Sequence, residues 1–297
     1  MAENYFNPVV ASRLAGYEIR SRRLAEGFKE GLHKSRLIGV STSFAQHRPY
    51  VPGDDLRRFD WKILAKTDRY FIRQYEADTN LSCLFLLDTS ASMFFKGDGS
   101  AMSKYDYAAT ITATLGYMLF EQKDPFGLVL FDDKVRTALP ARSTGGHLRN
   151  FFDSLSKAEA GTQTNLGRVM LSVGPRLKRR GIVVIVSDFL SDMEQLTLGL
   201  GQLSFMGQDV LLFLVEDPVE RDFPFSGSSI MLGPEKEGQV LCDPRDYSAV
   251  YQRERLRHHD ALRETARRFG YFFEEMPTDG AMDEALGAVL AARLVHR

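Results

Sequence analysis

The stretch of sequence that decides the fold of this chain is LFLLDTSASM, residues 84–93. The largely apolar run over residues 81–87 predicts a strand buried on both faces, as in a parallel sheet. Asp88, Ser90 and Ser92 follow this strand directly, and ligands of open α/β sheets bind just beyond such strand ends. All three side chains offer hard oxygen atoms, which Mg²⁺ prefers. The alternative is that they only form a turn.

Two later segments lead toward the same edge of the predicted sheet. Residues 181–188, GIVVIVSD, predict a second buried strand that ends in Asp188. Residues 161–167, GTQTNLG, predict a loop of small and hydroxyl residues that opens a helix. A loop threonine and Asp188 would therefore join Asp88 and the two serines at one rim. Two carboxylates and three hydroxyls suit Mg²⁺ or Mn²⁺ and leave room for a ligand from outside the chain.

This pattern resembles the metal-ion-dependent adhesion site of von Willebrand factor A domains. The resemblance consists of Asp-x-Ser-x-Ser, a threonine in a Thr-Asn-x-Gly setting and an aspartate that closes a later strand. It implies a metal site composed of Asp88, Ser90, Ser92, Thr164 and Asp188. Thr164 matches the family's threonine best because TNLG leads into the next helix, and Thr162 is the alternative. In that family the serines and the threonine touch the metal, whereas the aspartates bind it directly or through water.

A second motif, HRPYVPGDDLRRFDWK at residues 47–62, precedes the strand predicted over residues 81–87. Prolines and a glycine shape its backbone, and arginines alternate with aspartates before the only tryptophan of the chain. Its candidate residues are Arg48, Tyr50, Gly53, Asp54, Asp55, Arg57, Asp60 and Trp61. We expect this segment to clamp the N-terminal region onto the main domain. A docking surface is the alternative.

Together, this motif and the Asp-x-Ser-x-Ser strand resemble a bacterial family, domain of unknown function number fifty-eight, which has a von Willebrand A-like fold. The match is close over residues 47–167 and looser beyond them. Members are commonly encoded beside MoxR-type AAA+ ATPases. The resemblance therefore implies an adaptor or co-chaperone of such an ATPase, in the maturation of a metalloenzyme or another complex.

From residue 81 onward, predicted strands and helices alternate along the chain, and the predicted helices include residues 166–178, 251–269 and 282–294. This order predicts an α/β fold with a mostly parallel, Rossmann-like, von Willebrand A-like sheet flanked by helices. Residues 132–134 predict a hairpin turn that adds one antiparallel strand. We expect residues 1–80 to form a helical and signature region that packs on an A-like domain of residues 81–297. Prolines and glycines indicate an insertion with a small hairpin at about residues 217–246.

Composition excludes several classes of protein. The 297 residues are 44% hydrophobic, which is enough for a large core. Lys and Arg number 38 against 39 Asp and Glu, whereas nucleic-acid binders are usually basic. Two cysteines are too few for a disulfide framework. The sequence shows no signal peptide and no apolar run of about 18 residues, so we expect a cytoplasmic protein without membrane insertion.

The function that the sequence favours is a metal-dependent protein-interaction module rather than an enzyme. Its cation would capture an acidic residue of a partner, which the family resemblance identifies as a MoxR-type AAA+ ATPase or its client. The alternative is a Mg²⁺-dependent hydrolase or phosphotransferase with Asp88 as nucleophile. Against this alternative, Ser90 stands where Asp-x-Asp phosphotransferases have a second carboxylate, and no lysine is evidently placed beside a transferred phosphate. The chain has no P-loop motif and is therefore not itself a P-loop ATPase.

Overall fold

In the computed structural model, the chain folds around a six-stranded sheet. The structure describes residues 16–25, 46–49, 71–74, 82–177, 180–225, 229–232, 239–242, 244–283 and 286–287. The strands are β1 (Gln46–Pro49), β2 (Phe71–Gln74), β3 (Cys83–Asp88), β4 (Phe126–Phe131), β5 (Val135–Arg142), β6 (Ile182–Ser187), β7 (Asp209–Glu216), β8 (Ser229–Leu232), β9 (Gln239–Cys242) and β10 (Phe272–Pro277). The helices are α1 (16–25), α2 (Lys104–Glu121), α3 (Gly145–Ser156), α4 (Leu166–Val173), α5 (Met193–Phe205), α6 (Pro218–Asp222) and α7 (Pro244–Phe269). Among these described helices, none is long and apolar enough to cross a membrane.

The sheet has the strand order β10-β7-β6-β3-β4-β5, and its pairs are parallel except for β4 with β5. After β3 the chain forms β4 and β5 on one side and then returns to β6 on the other side. The strand order therefore reverses between β3 and β6, and in open α/β sheets this reversal creates a crevice at the carboxyl ends of the two strands. The predicted α/β class and the single antiparallel strand are confirmed.

Both faces of the sheet are covered by helices, which explains the uninterrupted apolar runs in its strands. On one face Phe85 of β3 lies in a core with Ile111 of α2 and Phe151 of α3. On the other face its neighbour Leu86 lies in a second core with Met170 of α4. Since neighbouring residues of a strand point to opposite faces, a strand buried on both sides needs apolar residues at nearly every position.

Contacts divide the chain into two compact units, one of Met1–Phe28 with Leu81–Arg297 and the other of Lys29–Asn80. Within the first unit, the buried Tyr17 of α1 donates a hydrogen bond to Oδ1 of Asp106 in α2 at 2.9 Å. Within the second unit, β1 and β2 pair in antiparallel orientation. The division at residue 80, and the packing of the whole N-terminal region, stay predictions.

The observed elements differ from the predicted ones mainly at their ends. The helix predicted over residues 166–178 ends at Val173, where a 3₁₀ turn that contains Pro175 follows. Proline lacks the N–H that would continue the helix. The charged helix predicted from Tyr251 already begins at Pro244. The hairpin predicted within the insertion is present as β8 and β9, whereas the helix predicted over residues 282–294 lies largely outside the described residues.

Candidate functional site

The crevice between β3 and β6 contains the two aspartates that the sequence predicted as metal ligands. Asp88 is the last residue of β3 and is fully buried. Asp188 follows the last residue of β6 and is 5% exposed. Because β3 and β6 are paired in parallel, both carboxylates lie at the same rim of the sheet, and the charge of Asp188 acts on Asp88.

Asp88 accepts hydrogen bonds from three neutral donors. Its Oδ1 accepts from the backbone N–H of Ser90 at 2.8 Å, and its Oδ2 accepts from the hydroxyls of Thr164 at 2.9 Å and Ser187 at 2.6 Å. Burial, and next the charge of Asp188, raise the pKa of Asp88 to about 6, although the hydrogen bonds from Ser187 and Ser90 lower it. The ionised carboxylate is thus destabilised at this rim, and a bound cation would offset that cost.

The two serines of the motif lie at the 3₁₀ turn Ala91–Phe94, which follows β3. Ser90 is the N-cap of this turn, and its carbonyl accepts from the N–H of Met93 at 3.1 Å. This tight turn places the hydroxyl oxygens of Ser90 and Ser92 3.1 Å apart, and both residues are buried. Two hydroxyls this close can direct lone pairs toward one cation.

The loop of residues 161–165 brings a threonine to the same place. The N–H of Ala91 donates to the carbonyl of Thr162 at 3.2 Å, which joins the loop to the serine turn. Thr164 thereby reaches the carboxylate at the end of β3, as described above. The hydroxyl of Thr162 instead donates to Asp132 at 3.4 Å. Of the two threonines considered from the sequence, the structure therefore brings Thr164 to the strand-end carboxylate.

Asp132 positions this loop, a role that its place in a hairpin turn did not reveal. Its Oδ2 accepts from the N–H of Thr162 at 3.1 Å, and its backbone carbonyl accepts from the N–H of Asn165 at 3.0 Å. Burial raises its pKa, but hydrogen bonds from Arg136 and from the N–H of Thr162 hold the pKa of Asp132 well below its usual range. At Gly161 a Cβ would lie 2.3 Å from this carboxylate, so the close approach requires glycine. The sequence signal was an aspartate directly after a buried strand.

Lys104 is a charged residue of the site that the sequence analysis missed. It is the first residue of α2 and is fully buried. Its Nζ donates to Oδ2 of Asp188 at 2.9 Å and to Oε1 of Glu220, in α6, at 2.7 Å. Burial lowers the pKa of Lys104, but the charges of Asp188 and Glu220 outweigh burial and raise it above its usual value. Lys104 and Asp188 are 84 residues apart, so no local pattern could have indicated the pair.

The turn after Asp188 presents an apolar side chain beside the site. Phe189 has a φ of +53°, in the left-handed region that bulky residues rarely adopt, and its ring is fully buried. Its N–H donates to Oγ of Ser187 at 2.9 Å, and its carbonyl accepts from Nε2 of His258 at 3.0 Å. The next residue, Leu190, is 55% exposed. The hydrogen bonds hold the strained turn in place, and the turn exposes Leu190 at the rim.

Most of the predicted signature motif lies outside the described residues. Arg48 belongs to β1, for which the backbone is described. The remaining candidates lie outside the described ranges: Tyr50, Gly53, Asp54, Asp55, Arg57, Asp60 and Trp61. Their function as a clamp therefore stays a prediction.

Comparisons with known proteins identify the family of this chain and some of its relatives. The sequence model of a family described as "Protein of unknown function DUF58" matches residues 46–261. The uncharacterized proteins Mb1516 of Mycobacterium bovis and Rv1480 of Mycobacterium tuberculosis are each 28% identical to the chain over 229 residues, which is 76% of this chain and 71% of theirs.

Similar solved structures include the conserved hypothetical protein BatB from Bacteroides thetaiotaomicron. Its TM-score is 0.50 at 15% identity, with 73% of this chain and 100% of that chain covered. The VWA domain of SpRpn10 has a TM-score of 0.41 at 12% identity and covers 70% of this chain and 93% of that chain. The likeness to BatB concerns the fold alone. The predicted von Willebrand factor A-like fold is confirmed.

Proposed function

The chain belongs to the family described as Protein of unknown function DUF58, and we propose from its site that it is a metal-dependent protein-interaction module. The binding edge is the crevice at the carboxyl ends of β3 and β6. The observation that carries this proposal is the convergence of one buried carboxylate and three hydroxyls at that edge. These groups belong to Asp88, Ser90, Ser92 and Thr164.

The donor set suits a small divalent cation. Carboxylate and hydroxyl oxygens are ligands of Mg²⁺ and Mn²⁺. Asp88 accepts from neutral donors within the described part of the structure, so a cation would supply the charge that this buried carboxylate needs. Asp188 adds negative charge from the neighbouring strand end. The described residues contain no group of three or more His, Cys, Asp or Glu side chains that could hold a metal, and the proposed centre relies on hydroxyls instead.

A cation held largely by neutral hydroxyls stays attractive to a carboxylate from outside the chain. Ser90, Ser92 and Thr164 contribute oxygen atoms without charge, so they do not neutralise a dication. An aspartate or glutamate of a partner protein would complete the coordination and add the missing negative charge. Leu190, exposed next to Asp188, offers an apolar contact beside that carboxylate.

For the partner we propose a MoxR-type AAA+ ATPase or its client, with this chain as an adaptor or co-chaperone in complex assembly. The support for this partner is the family resemblance of the signature motif and of the Asp-x-Ser-x-Ser strand. We further propose a cytoplasmic location, because the two cysteines and the balanced charge suit a reducing compartment and a protein partner rather than a nucleic acid.

A hydrolase with Asp88 as nucleophile fits the site less well. The ammonium of Lys104 is fully buried and donates to Asp188 and Glu220, so it is not available to neutralise a phosphate. Ser90 occupies the position of a second carboxylate. The family and the relatives named above carry no enzymatic activity in their names. Binding without turnover is therefore the function that we propose.

Partner affinity in Mg²⁺ and in EDTA tests this proposal. A MoxR-type ATPase from the same organism serves as the immobilised probe. Binding should require Mg²⁺ and should be lost in the Ser90→Ala/Ser92→Ala variant. The matched control is Ser154→Ala/Ser172→Ala, which removes two hydroxyls that donate to carbonyls of their own helices. Equal affinity with and without chelator contradicts the metal-dependent mechanism.

Competition with peptides identifies the chemical group that binds. A peptide with one glutamate should displace the ATPase, whereas the same peptide with glutamine should not. Added salt should weaken binding less than the acidic peptide does, because a coordinated carboxylate is screened less than surface charges are. Displacement by both peptides alike would show that a carboxylate is not the ligand.

A further inference from the structure

The ammonium of Lys104 is a counter-charge for Asp188 that the chain itself provides. The lysine side chain is 0% exposed, and burial of an ammonium group is tolerated only where carboxylates and hydrogen bonds compensate it. Asp188 uses Oδ2 to accept from this ammonium at 2.9 Å and Oδ1 to accept from the N–H of Leu190 at 3.3 Å. Both oxygen atoms of Asp188 are therefore engaged by the chain itself.

The second acceptor of Lys104 joins this ion pair to the predicted insertion. Glu220 lies in α6, and its side chain accepts from the backbone N–H of Asp217 in a capping box. Asp217 in turn accepts from the N–H of Gly97 at 3.1 Å and from the hydroxyl of Ser100 at 2.8 Å. Lys104 is thus held from two sides, by the end of β6 and by the start of the insertion.

The carboxylate at the end of β3, unlike that of Asp188, accepts no hydrogen bond from a charged group within the described residues. Among those residues, the donors to Asp88 are a backbone N–H and hydroxyl groups, all of them neutral. A divalent cation entering the crevice would meet one carboxylate without a counter-charge and one that already has an ammonium ion. Coordination through Oδ2 of Asp188 would displace the ammonium of Lys104, which is costly because it breaks a buried ion pair and leaves Glu220 as the remaining acceptor of Lys104 among the described residues.

We propose that Lys104 is a positioning residue that holds Asp188 out of the coordination of the cation. Asp88, Ser90, Ser92 and Thr164 then provide the ligands from this chain. With one carboxylate instead of two, the bound cation keeps more positive charge for the carboxylate of a partner. Lys104 therefore favours partner binding at the expense of metal affinity. This inference rests on the proposed function and specifies the charge of its site.

Mn²⁺ affinity, measured by calorimetry, distinguishes the two carboxylates. Asp88→Asn and Asp188→Asn remove the same charge from neighbouring strand ends, so each variant is the control of the other. Asp88→Asn should weaken Mn²⁺ binding by roughly 100-fold and Asp188→Asn by less than about 5-fold, because loss of a ligand outweighs loss of a nearby charge. Equal losses in the two variants overturn the inference.

Replacement of the lysine gives the reciprocal experiment. In Lys104→Met, Asp188 becomes available to the cation, so Mn²⁺ should bind roughly 10-fold more tightly. In Lys104→Met/Asp188→Asn this gain should disappear, as a double-mutant cycle requires of two coupled residues. A gain that persists in the double variant, or no gain in the single variant, overturns the inference. If Lys104→Met does not fold, the two asparagine variants decide alone.

The same titrations separate this inference from the proposed function. If the wild type does not bind Mn²⁺ but Lys104→Met does, the metal-dependent function is contradicted and the role of Lys104 is supported. If neither folded protein binds Mn²⁺, both are contradicted. Binding by the wild type with equal losses in Asp88→Asn and Asp188→Asn supports the function and contradicts the role of Lys104.

Discussion

The ends of β3 and β6 have the same sequence pattern and opposite electrostatic environments. Each strand is buried on both faces; Asp88 is the last residue of β3, and Asp188 directly follows the last residue of β6. Asp88 receives neutral donors and has a pKa raised to about 6, whereas Asp188 receives the ammonium of Lys104. The difference shows that the charge environment of a strand-end carboxylate depends on the donors that distant segments bring to it, and not on the strand sequence. We infer that an exchangeable metal ion binds at the end of β3, because the aspartate at the end of β6 already pairs with the ammonium of Lys104.

The largest expected effect is the loss of stability when the ammonium of Lys104 is removed from Asp188. Lys104→Met leaves a buried carboxylate without its partner, so the free energy of unfolding should fall by roughly 3–5 kcal/mol. Chemical denaturation measures this change. Lys157→Met is the control, since Lys157 pairs with Asp153 at 2.6 Å on the surface and should contribute less than about 1 kcal/mol. Similar small losses in both variants would contradict the buried ion pair.

An effect of the opposite sign is expected at Asp88 in the absence of divalent cations. Its pKa rises from 3.8 to about 6 in the folded chain, so the folded state holds this proton more tightly than the unfolded state does. Stability of the wild type should therefore fall as the pH rises from about 4 to above 6, by roughly 3 kcal/mol at most.

Asp88→Asn removes this titration, and the neighbouring hydroxyls can either donate to or accept from an amide. The variant should thus be more stable than the wild type at pH 7.5, and the advantage should vanish as the pH falls toward 4. Denaturation curves across this pH range provide the measurement. A variant that is less stable than the wild type at neutral pH would show that the carboxylate is already compensated.

The smallest effect separates the two threonines of the loop after α3. Thr164→Ala should weaken Mg²⁺ or Mn²⁺ binding by roughly 10-fold, because it removes one of several ligands and a hydrogen bond to Asp88. Thr162→Ala keeps the backbone N–H that donates to Asp132, so its metal affinity should stay within about 2-fold of the wild type. The reverse order of the two affinities would assign the metal to Thr162.

The sequence revealed the parts of the site that depend on local patterns. The strand ends at Asp88 and Asp188 follow from apolar runs, and parallel pairing brings such ends to one rim. The serines follow Asp88 within one turn. Thr164 lies next to Asn165, which caps the start of α4, so its position before a helix could be predicted from the local sequence. These features depend only on strand length, strand direction and turn chemistry, and each of these can be predicted from a short segment of sequence.

The remaining parts depend on contacts between distant segments. Lys104 reaches Asp188 across 84 residues and Glu220 across 116 residues, and a lysine at a helix start has no distinguishing pattern. Asp132 was recognised as a turn residue, but its bond to the N–H of Thr162 depends on how the loop folds back. The electrostatic difference between the two strand ends could therefore be found only in the structure.

The metal site at the end of β3 is tested most directly by a calorimetric titration of Mg²⁺ into the wild type and into Asp88→Ala. Circular dichroism first establishes that both proteins are folded. The wild type should bind Mg²⁺ saturably and Asp88→Ala should not bind it, because the end of β3 provides the carboxylate that holds the cation. Equal binding to both proteins would contradict a metal site at the end of β3, as would the absence of Mg²⁺ binding to the folded wild type.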